Sequence, residues 1–312
     1  MTAKFLIVSI LDLLLGINFL SPAVLINNSS GNGEAAGPQG APYLLPASET
    51  NYFPIRDWGV PDPLLNARSA MLYDLASEKV LLDINPGTRL PIASLTKLMT
   101  AVAVIENMDL GDTVEIKKSA IEKSKKEGGG NDLYAGEKIK AGDLLKLMLI
   151  ESSNAAAYAF TEHMEEKYRV NLAEKMNEKA AMLNMSDTFF TEAAGLDDQN
   201  SFSTGQDLVK LVKYSLRYSD LYEILKTQKA EVVSIDGSSK HRISNTNQLL
   251  GILLNVIGGK TGFTELAGGS MILVTEAPNS KSRLITVVLG SNDRFAEAKK
   301  IVDWALEAYL WR

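Results

Sequence analysis

Cysteine is absent from this 312-residue chain, and histidine occurs only twice. Without cysteine the protein can have no disulfide, no thiolate zinc site and no thiol nucleophile. Export is not excluded, because a chain of this length buries enough apolar surface to fold without crosslinks. An excess of positive charge is also lacking, since 32 Lys and Arg residues stand against 38 Asp and Glu residues, a net charge of −6. We therefore expect no nucleic-acid partner.

The remaining composition is that of an ordinary globular protein. Apolar residues make up 46% of the chain and charged residues 22%. These fractions argue against a disordered chain, a collagen and a polytopic membrane protein. The length predicts about two domains, or one large domain with extensions.

The first 26 residues form an apolar segment with a charged start. Lys4 precedes an apolar run at 5–20, which is typical of a secretory signal, and small residues before Ala23 offer a cleavage site. An uncleaved anchor is the competing interpretation, although Asp12 near its middle would cost about 2.5–3.5 kcal/mol on insertion. A buried globular helix is the third. A signal or an anchor places the rest of the chain outside the cytoplasmic membrane, in the periplasm or at the cell wall, with membrane contact only through this segment if it is kept.

The rest of the chain divides into a tether and a folded domain. Residues 27–63 are rich in Gly, Asn, Ser and Pro, which predicts a flexible tether, and 64–312 are predicted to form one folded domain. Residue patterns predict strands at 69–74, 79–84, 231–235, 270–275 and 284–289. They predict helices starting near Ser94 and at 144–150, 155–166, 207–217 and 296–309. Strands at both ends with helices between predict an α+β fold, an antiparallel sheet flanked by helices with a helical insertion.

The two histidines do not fit a Ser-His-Asp triad. His163 lies in a helical pattern between glutamates, and the sequence contains no Gly-x-Ser-x-Gly turn. We expect both His163 and His241 on the surface or in loops.

A serine can instead be activated by a lysine. Ser94 and Lys97 form the only Ser-x-x-Lys of the chain, and residues three apart at a helix start lie on one face. Ser94 would also lie where helix N–H groups favour negative charge. Taken alone, a capping serine and an exposed lysine explain this pair better.

Two further motifs are weak when each is taken alone. Ser152-Ser153-Asn154 lies at a break between helical patterns and is explained by a helix cap. Lys260-Thr261-Gly262 opens a strand after two glycines and is explained by a turn with an edge lysine.

The three motifs in this order resemble the signature of penicillin-recognising serine enzymes. The segments 90–100, 194–204, 245–250 and 259–268 narrow the resemblance to the low-molecular-mass D-alanyl-D-alanine carboxypeptidases, peptidase family S11. It extends from Ala67 to about Trp304. Too few residues follow Gly262 for the C-terminal β-domain of longer members. The resemblance implies a DD-peptidase/β-lactamase-like fold for residues 64–312.

The chain departs from the family pattern at positions around these motifs. The family often has Gly-Asn-Asp at 153–155, where this chain has Ser-Asn-Ala, and Asn-Pro in place of Glu192-Ala193. His or Thr is common where Phe263 stands, and Asp occurs in some members where Glu265 stands. These differences affect substrate preference and rate rather than the groups that the reaction needs.

The resemblance implies acyl transfer from a peptidoglycan stem peptide that ends in D-Ala-D-Ala. Ser94 would be the nucleophile and Lys97 its base, which needs a pKa near 7–8 rather than the usual value of about 10.4. Ser152 would relay the proton to the leaving amine, and Asn154 would hold the substrate backbone and orient Lys97. β-Lactam antibiotics would be covalent inhibitors, and no metal or organic cofactor is required.

The same resemblance assigns the binding groups. Lys260 and Thr261 of the Lys-Thr-Gly motif would meet the substrate carboxylate, with Gly262 completing the motif. The backbone N–H groups of Ser94 and Phe263 would hold the oxyanion, so the unusual Phe263 side chain is tolerated.

Three alternatives use the same scaffold. A D,D-endopeptidase that cuts peptidoglycan crosslinks would use the same residues. A β-lactamase would need a glutamate to activate the deacylating water, and Glu192 is the candidate, although its local sequence fits the carboxypeptidase pattern better. A catalytically silent wall-binding protein is disfavoured by the intact set of motif residues.

Overall fold

The computed structural model describes residues 53–126, 133–196, 200–278 and 281–311. The predicted signal or anchor at 1–26 and most of the predicted tether lie outside the described residues. No helix within the described ranges is both long and apolar enough to cross a membrane.

The central element is a five-stranded antiparallel sheet with strand order β3-β2-β10-β9-β8. Its strands are β2 (Ser69–Asp74), β3 (Lys79–Ile84), β8 (Val256–Thr264), β9 (Gly268–Glu276) and β10 (Arg283–Ser291). Short strands pair in twos: β1 (Ile55–Arg56) with β11 (Tyr309–Leu310), β4 (Thr113–Glu115) with β5 (Lys138–Lys140), and β6 (Lys229–Val233) with β7 (Lys240–Ser244).

The helices lie mainly between β3 and β8 in the chain. They are α1 (Thr96–Asn107), α2 (Lys118–Lys126), α3 (Ala141–Lys146), α4 (Asn154–His163), α5 (Leu172–Met182), α6 (Gly205–Ser215) and α7 (Ser219–Lys226), and α8 (Arg294–Ala308) follows the sheet. Two π-helical turns, Leu147–Glu151 and Met164–Tyr168, continue α3 and α4.

The sheet is buried on both faces. Alternate residues of β2 point to opposite sides, so Met71 and Tyr73 pack into the cluster that contains α1. Ala70 and Leu72 pack into a second cluster, built largely from the buried face of α8. The predicted α+β fold, an antiparallel sheet flanked by helices with a helical insertion, is therefore confirmed.

The predicted strands at 69–74 and 79–84 have these bounds in the structure and pair with each other. The last two predicted strands are confirmed within the nine-residue strands β9 and β10. The helices α2, α5 and α7 were not predicted. In α5 only Leu172, Met176 and Ala180 are buried, one residue per turn, which is too thin an apolar stripe to stand out in the sequence.

Part of the predicted tether, at 55–61, contacts the folded domain. β1 pairs with β11, and the Arg56 guanidinium lies 5.0 Å from the Trp304 ring centre and 5.5 Å from that of Tyr309. The Trp304 indole donates to the Pro61 carbonyl at 2.9 Å. A strand pairing, an indole hydrogen bond and an arginine among aromatic rings attach this segment to the domain, and composition alone does not reveal such contacts.

The prediction for His241 is wrong. This residue lies in β7 with 8% of its surface exposed, and its Nε2 is 2.7 Å from Oε1 of Glu137. Glu137 is 104 positions away in the chain, so a buried ion-pairing partner for His241 was not visible in local sequence.

Candidate active site

Ser94 lies in a single 3₁₀ turn, Ala93–Leu95, directly before α1. Lys97 is one turn further on, and its Nζ lies within hydrogen-bond distance of Ser94 Oγ, at 2.8 Å. The predicted pairing of these two side chains on one helix face is therefore confirmed. Lys97 has no exposed surface, so its amine is held against the serine and is itself out of contact with bulk water.

Two carbonyl oxygens also lie next to the Lys97 amine. Asn154 Oδ1 accepts at 2.7 Å, and the main-chain oxygen of Ala194 accepts at 2.6 Å. A neutral amine has two N–H bonds and one lone pair. Because both carbonyl oxygens can only accept, they take the two N–H bonds, and the lone pair is left for the hydroxyl of Ser94.

A break between two helices positions Ser152 and Asn154. The π-helical turn Leu147–Glu151 ends at Ser152, which has a left-handed backbone with φ of 67°. Ser153 Oγ then accepts from the Ala156 N–H at 3.1 Å and caps α4, so that Asn154 becomes its first residue. Backbone strain of this kind is characteristic of functional sites. Ser153 therefore provides the helix cap that the sequence suggested for this motif. Ser152 and Asn154 are not needed for capping, and both side chains are available to the site.

β8 supplies the third motif. Lys260 is 1% exposed, and its Nζ donates to Ser152 Oγ and to the Thr261 carbonyl, both at 2.9 Å. Burial, followed by the positive charges of Lys97 and Arg294, holds the pKa of Lys260 well below its usual range. The motif therefore presents a buried amine whose hydrogen-bond partners, Ser152 and the Thr261 carbonyl, are neutral.

Gly262 and Phe263 continue β8 past the nucleophile. A Cβ on Gly262 would lie 3.0 Å from the backbone nitrogen of Ser94 and 3.0 Å from the Ile92 oxygen. Glycine is therefore needed for the strand to approach the serine turn this closely. The Phe263 side chain is 58% exposed, so it lines the rim of the site rather than its interior.

The structure adds residues that the motifs do not contain. Arg294, at the start of α8, has a buried Nε with no hydrogen-bond partner among the described residues, and its charge acts on Lys260. Thr246 Oγ1 lies 2.6 Å from Thr261 Oγ1, and its N–H donates to the Ile150 carbonyl at 3.0 Å. Thr246 belongs to a segment already matched to the family, whereas nothing in the sequence around Arg294 marks it.

These contacts bring the three predicted motifs into one site. A family profile described as D-alanyl-D-alanine carboxypeptidase, peptidase S11, matches residues 58–293. The chain belongs to this family. The resemblance that the motifs indicated is thereby confirmed.

Curated S11 relatives include carboxypeptidases and endopeptidases. The D-alanyl-D-alanine carboxypeptidase DacF of Bacillus subtilis is 30% identical over 251 residues, which is 78% of this chain and 63% of the relative. The D-alanyl-D-alanine endopeptidase of Haemophilus influenzae is 32% identical over 245 residues, which is 78% of this chain and 82% of the relative. The chain thus spans less than two thirds of DacF but most of the endopeptidase.

Solved structures agree with the S11 assignment. The Streptomyces K15 DD-transpeptidase superimposes with a TM-score of 0.73 at 26% identity, covering 80% of this chain and all of that one. A penicillin-binding protein homolog from Mycobacterium tuberculosis gives a TM-score of 0.72 at 25% identity, covering 82% of this chain and 99% of that one. The predicted DD-peptidase-like fold is confirmed.

Proposed function

We propose that this protein is a serine-type D-Ala-D-Ala carboxypeptidase that removes the terminal D-alanine from peptidoglycan stem pentapeptides through an acyl-enzyme on Ser94. The observation that carries the proposal is the buried Lys97 amine, 2.8 Å from Ser94 Oγ and bound on its other sides to two acceptors. A nucleophile within hydrogen-bond reach of an oriented base is the arrangement that covalent catalysis requires.

Acylation begins with a proton transfer. Neutral Lys97 takes the proton of Ser94 as the serine oxygen forms a bond to the penultimate D-Ala carbonyl carbon. Burial of Lys97 and the like charge of Lys260 favour this neutral form. The tetrahedral oxyanion is held by the backbone N–H groups of Ser94 and Phe263.

The leaving group then needs a proton. Ser152 Oγ, hydrogen-bonded to Lys260, passes its proton to the leaving amine as the C–N bond breaks and regains the proton that Lys97 took from Ser94, so that free D-alanine departs and Lys97 is neutral again. Asn154, which also orients Lys97, holds the substrate backbone. Water then attacks the ester carbonyl and gives a proton to Lys97, which returns it to Ser94 as the ester bond breaks.

The free carboxylate of the substrate distinguishes a chain end from a chain middle. Lys260 and Thr261 meet that carboxylate, and the unpartnered Arg294 Nε adds a second positive charge nearby. Thr246 accepts from or donates to the Thr261 hydroxyl and so restricts its rotation. Charge-assisted hydrogen bonds of this type are about twice as strong as neutral ones, and the carboxylate of a penicillin uses the same place.

Endopeptidase cleavage of peptidoglycan crosslinks is the second candidate. Two observations favour it over the remaining alternatives: endopeptidase relatives reach 32% identity, and the chain covers 82% of the length of one of them. The same Ser94 chemistry applies, and only the group that follows the cleaved bond differs.

We further propose that the enzyme acts outside the cytoplasmic membrane, on the cell wall. The apolar segment at the start of the sequence supports export, and any membrane contact is proposed through that segment alone. Labelling of intact cells with a fluorescent penicillin that does not cross the cytoplasmic membrane tests this location, because an internal enzyme would stay unlabelled.

Mass spectrometry of wall fragments after incubation with the purified protein identifies the bond that is cut. Loss of one D-alanine from pentapeptides, with crosslinked dimers intact, is the expected result. Cleavage of dimers would instead support the endopeptidase. A Ser94→Ala protein serves as the control, and fragments unchanged by the wild type would overturn both candidates.

A further inference from the structure

Glu192 occupies a loop next to the catalytic lysine, at a position where the family often has asparagine. Both of its carboxylate oxygens bind main-chain N–H groups of the same loop. Oε2 accepts from Ala194 at 2.6 Å, and Oε1 accepts from Gly195 and from Leu196, the latter at 2.9 Å. Three charge-assisted hydrogen bonds therefore wrap residues 192–196 around one side chain.

This loop faces α1 with two carbonyl groups. Ala194 O accepts from Lys97 Nζ at 2.6 Å, and Ala193 O accepts from Thr100 Oγ1 at 2.7 Å. Gly195 has φ of +79°, and a Cβ there would lie 2.1 Å from the Ala93 oxygen. The loop thus packs closely against the turn that carries the nucleophile, and this packing restricts the positions of its carbonyl groups.

The Ala194 carbonyl determines the direction of the Lys97 lone pair. Ala194 O and Asn154 Oδ1 both accept from the amine, so loss or displacement of Ala194 O would let the amine rotate more freely about its Cε–Nζ bond. The lone pair would then point away from Ser94 Oγ for part of the time, and proton transfer would slow.

We propose that Glu192 is a positioning residue for the base: its carboxylate holds the Ala194 carbonyl where it directs the lone pair of neutral Lys97 at Ser94. The inference rests on the proposed role of Lys97. It also differs from the β-lactamase alternative, in which Glu192 would activate the deacylating water, because both carboxylate oxygens are already engaged by the backbone.

Glu192→Gln tests the proposal, since it keeps the size of the side chain and replaces one acceptor oxygen with an N–H donor. Stopped-flow acylation by a fluorescent penicillin separates the initial binding constant from the acylation rate constant. We expect the rate constant to fall about 10- to 100-fold with the binding constant unchanged. The pH of half-maximal acylation should also fall, because an acceptor that favours the charged amine is weakened.

Thr100→Val is the matched control. It removes the other hydrogen bond between α1 and this loop and leaves the Ala193 carbonyl unsatisfied, so it lowers the melting temperature without touching the Lys97 acceptors. We expect its acylation rate constant to stay within about threefold of wild type. If Thr100→Val loses as much acylation as Glu192→Gln, general loosening of the loop explains both and the positioning role is overturned.

Other results would also overturn or support the positioning role of Glu192. Wild-type acylation in Glu192→Gln overturns the proposal, and normal acylation with a long-lived acyl-enzyme would assign Glu192 to deacylation instead. If Glu192→Gln does not fold, Glu192→Asp is measured in its place, with an expected loss of about 3- to 10-fold because the carboxylate is retained but displaced. Failure of the wild type to acylate at all would contradict the proposed function rather than this inference alone.

Discussion

Lys179 and Lys260 are two lysines withdrawn from solvent, and their pKa values shift in opposite directions. Around Lys179 on α5, burial alone would lower the pKa. Hydrogen bonds to Glu106 at 2.7 Å and to Tyr214 at 2.9 Å outweigh burial and raise it. Lys260 on β8 has two neutral partners, and burial together with the charges of Lys97 and Arg294 lowers its pKa.

The carboxylate of Glu106 accounts for the contrast. Burial would raise its own pKa, but hydrogen bonds from Lys179, Tyr214 and Tyr218 lower it instead. Within that cluster the charges of Lys179 and Glu106 compensate each other and stabilise the fold. The group around Lys260 holds three basic side chains close together, so positive charge on all of them is unfavourable in the absence of an anion. Such an imbalance marks a binding site rather than a structural ion pair.

Replacing one lysine in each region by arginine should give the largest difference in acylation rate between the two regions. Lys97→Arg keeps the positive charge but cannot accept a proton at working pH, so acylation by a fluorescent penicillin should fall at least about 10³-fold. Lys179→Arg keeps its ion pair and should acylate normally. Near-normal acylation by Lys97→Arg would indicate another base.

Amidation of the substrate's C-terminus tests whether Lys260 binds the substrate carboxylate. Wild-type turnover should drop about 10- to 100-fold on amidation, because the ammonium of Lys260 loses its charged acceptor. In Lys260→Met the penalty should be much smaller. Hydrolysis of matched free and amidated peptides measures both penalties, and equal values would show that Lys260 acts on the Lys97 amine rather than on the carboxylate.

Replacing a lysine by methionine should change the free energy of unfolding in opposite directions in the two regions. Lys260→Met removes a buried charge without an anionic partner, and the free energy of unfolding should rise by about 1–2 kcal/mol. Lys179→Met leaves Glu106 without its cation and should lower it by about 1–3 kcal/mol, since the pair is only partly buried. Urea titrations of the three proteins give these values, and a destabilised Lys260→Met would contradict the comparison.

The pH dependence of stability is the smallest expected effect. Because the folded pKa of Lys260 lies below its unfolded value of about 10.4, the unfolded chain binds more protons between the two values. The free energy of unfolding therefore rises with pH across that interval. Lys179 has a raised folded pKa, so its contribution is complete below about pH 10.4 and is lost above it.

Urea titrations from neutral pH to about pH 10 can measure this difference in slope. In Lys260→Met the free energy of unfolding should increase less with pH than it does in the wild type. In Lys179→Met this increase should be unchanged. Equal slopes in the wild type and Lys260→Met would mean that Lys260 titrates alike in the folded and unfolded chains.

The groups that the sequence identified are those that lie within motifs. Ser94 and Lys97 are three residues apart, so helix geometry allowed their contact, and the family resemblance then predicted it. The order of the motifs then indicated Ser152, Asn154 and Lys260 through family resemblance. Each of these belongs to a local pattern that can be read without a structure.

The groups that the sequence missed act across distance. Arg294 meets Lys260 only because α8 starts beside β9, and nothing around it in the chain marks it. Glu192 was considered only as a base, because its role depends on the main-chain N–H groups of its own loop and on the carbonyl it presents to Lys97. Hydrogen bonds to the backbone leave no residue pattern, so sequence reasoning had no signal for this role.

The π-helical turn Leu147–Glu151 has a consequence for insertions and deletions. Such a turn is an α-helical turn that carries one residue too many. Because the turn holds the extra residue as a bulge, removing one residue from it would restore regular α-helical bonding and keep the direction of the residues beyond. Removing a residue from the regular part of α3 would instead rotate every residue beyond by about 100° around the helix axis, and Ser152 would then turn away from Lys260. A shortened α3 could therefore keep its hydrogen bonds and still place the wrong side chain at the site, whereas the π-helical turn can lose a residue with little effect on Ser152.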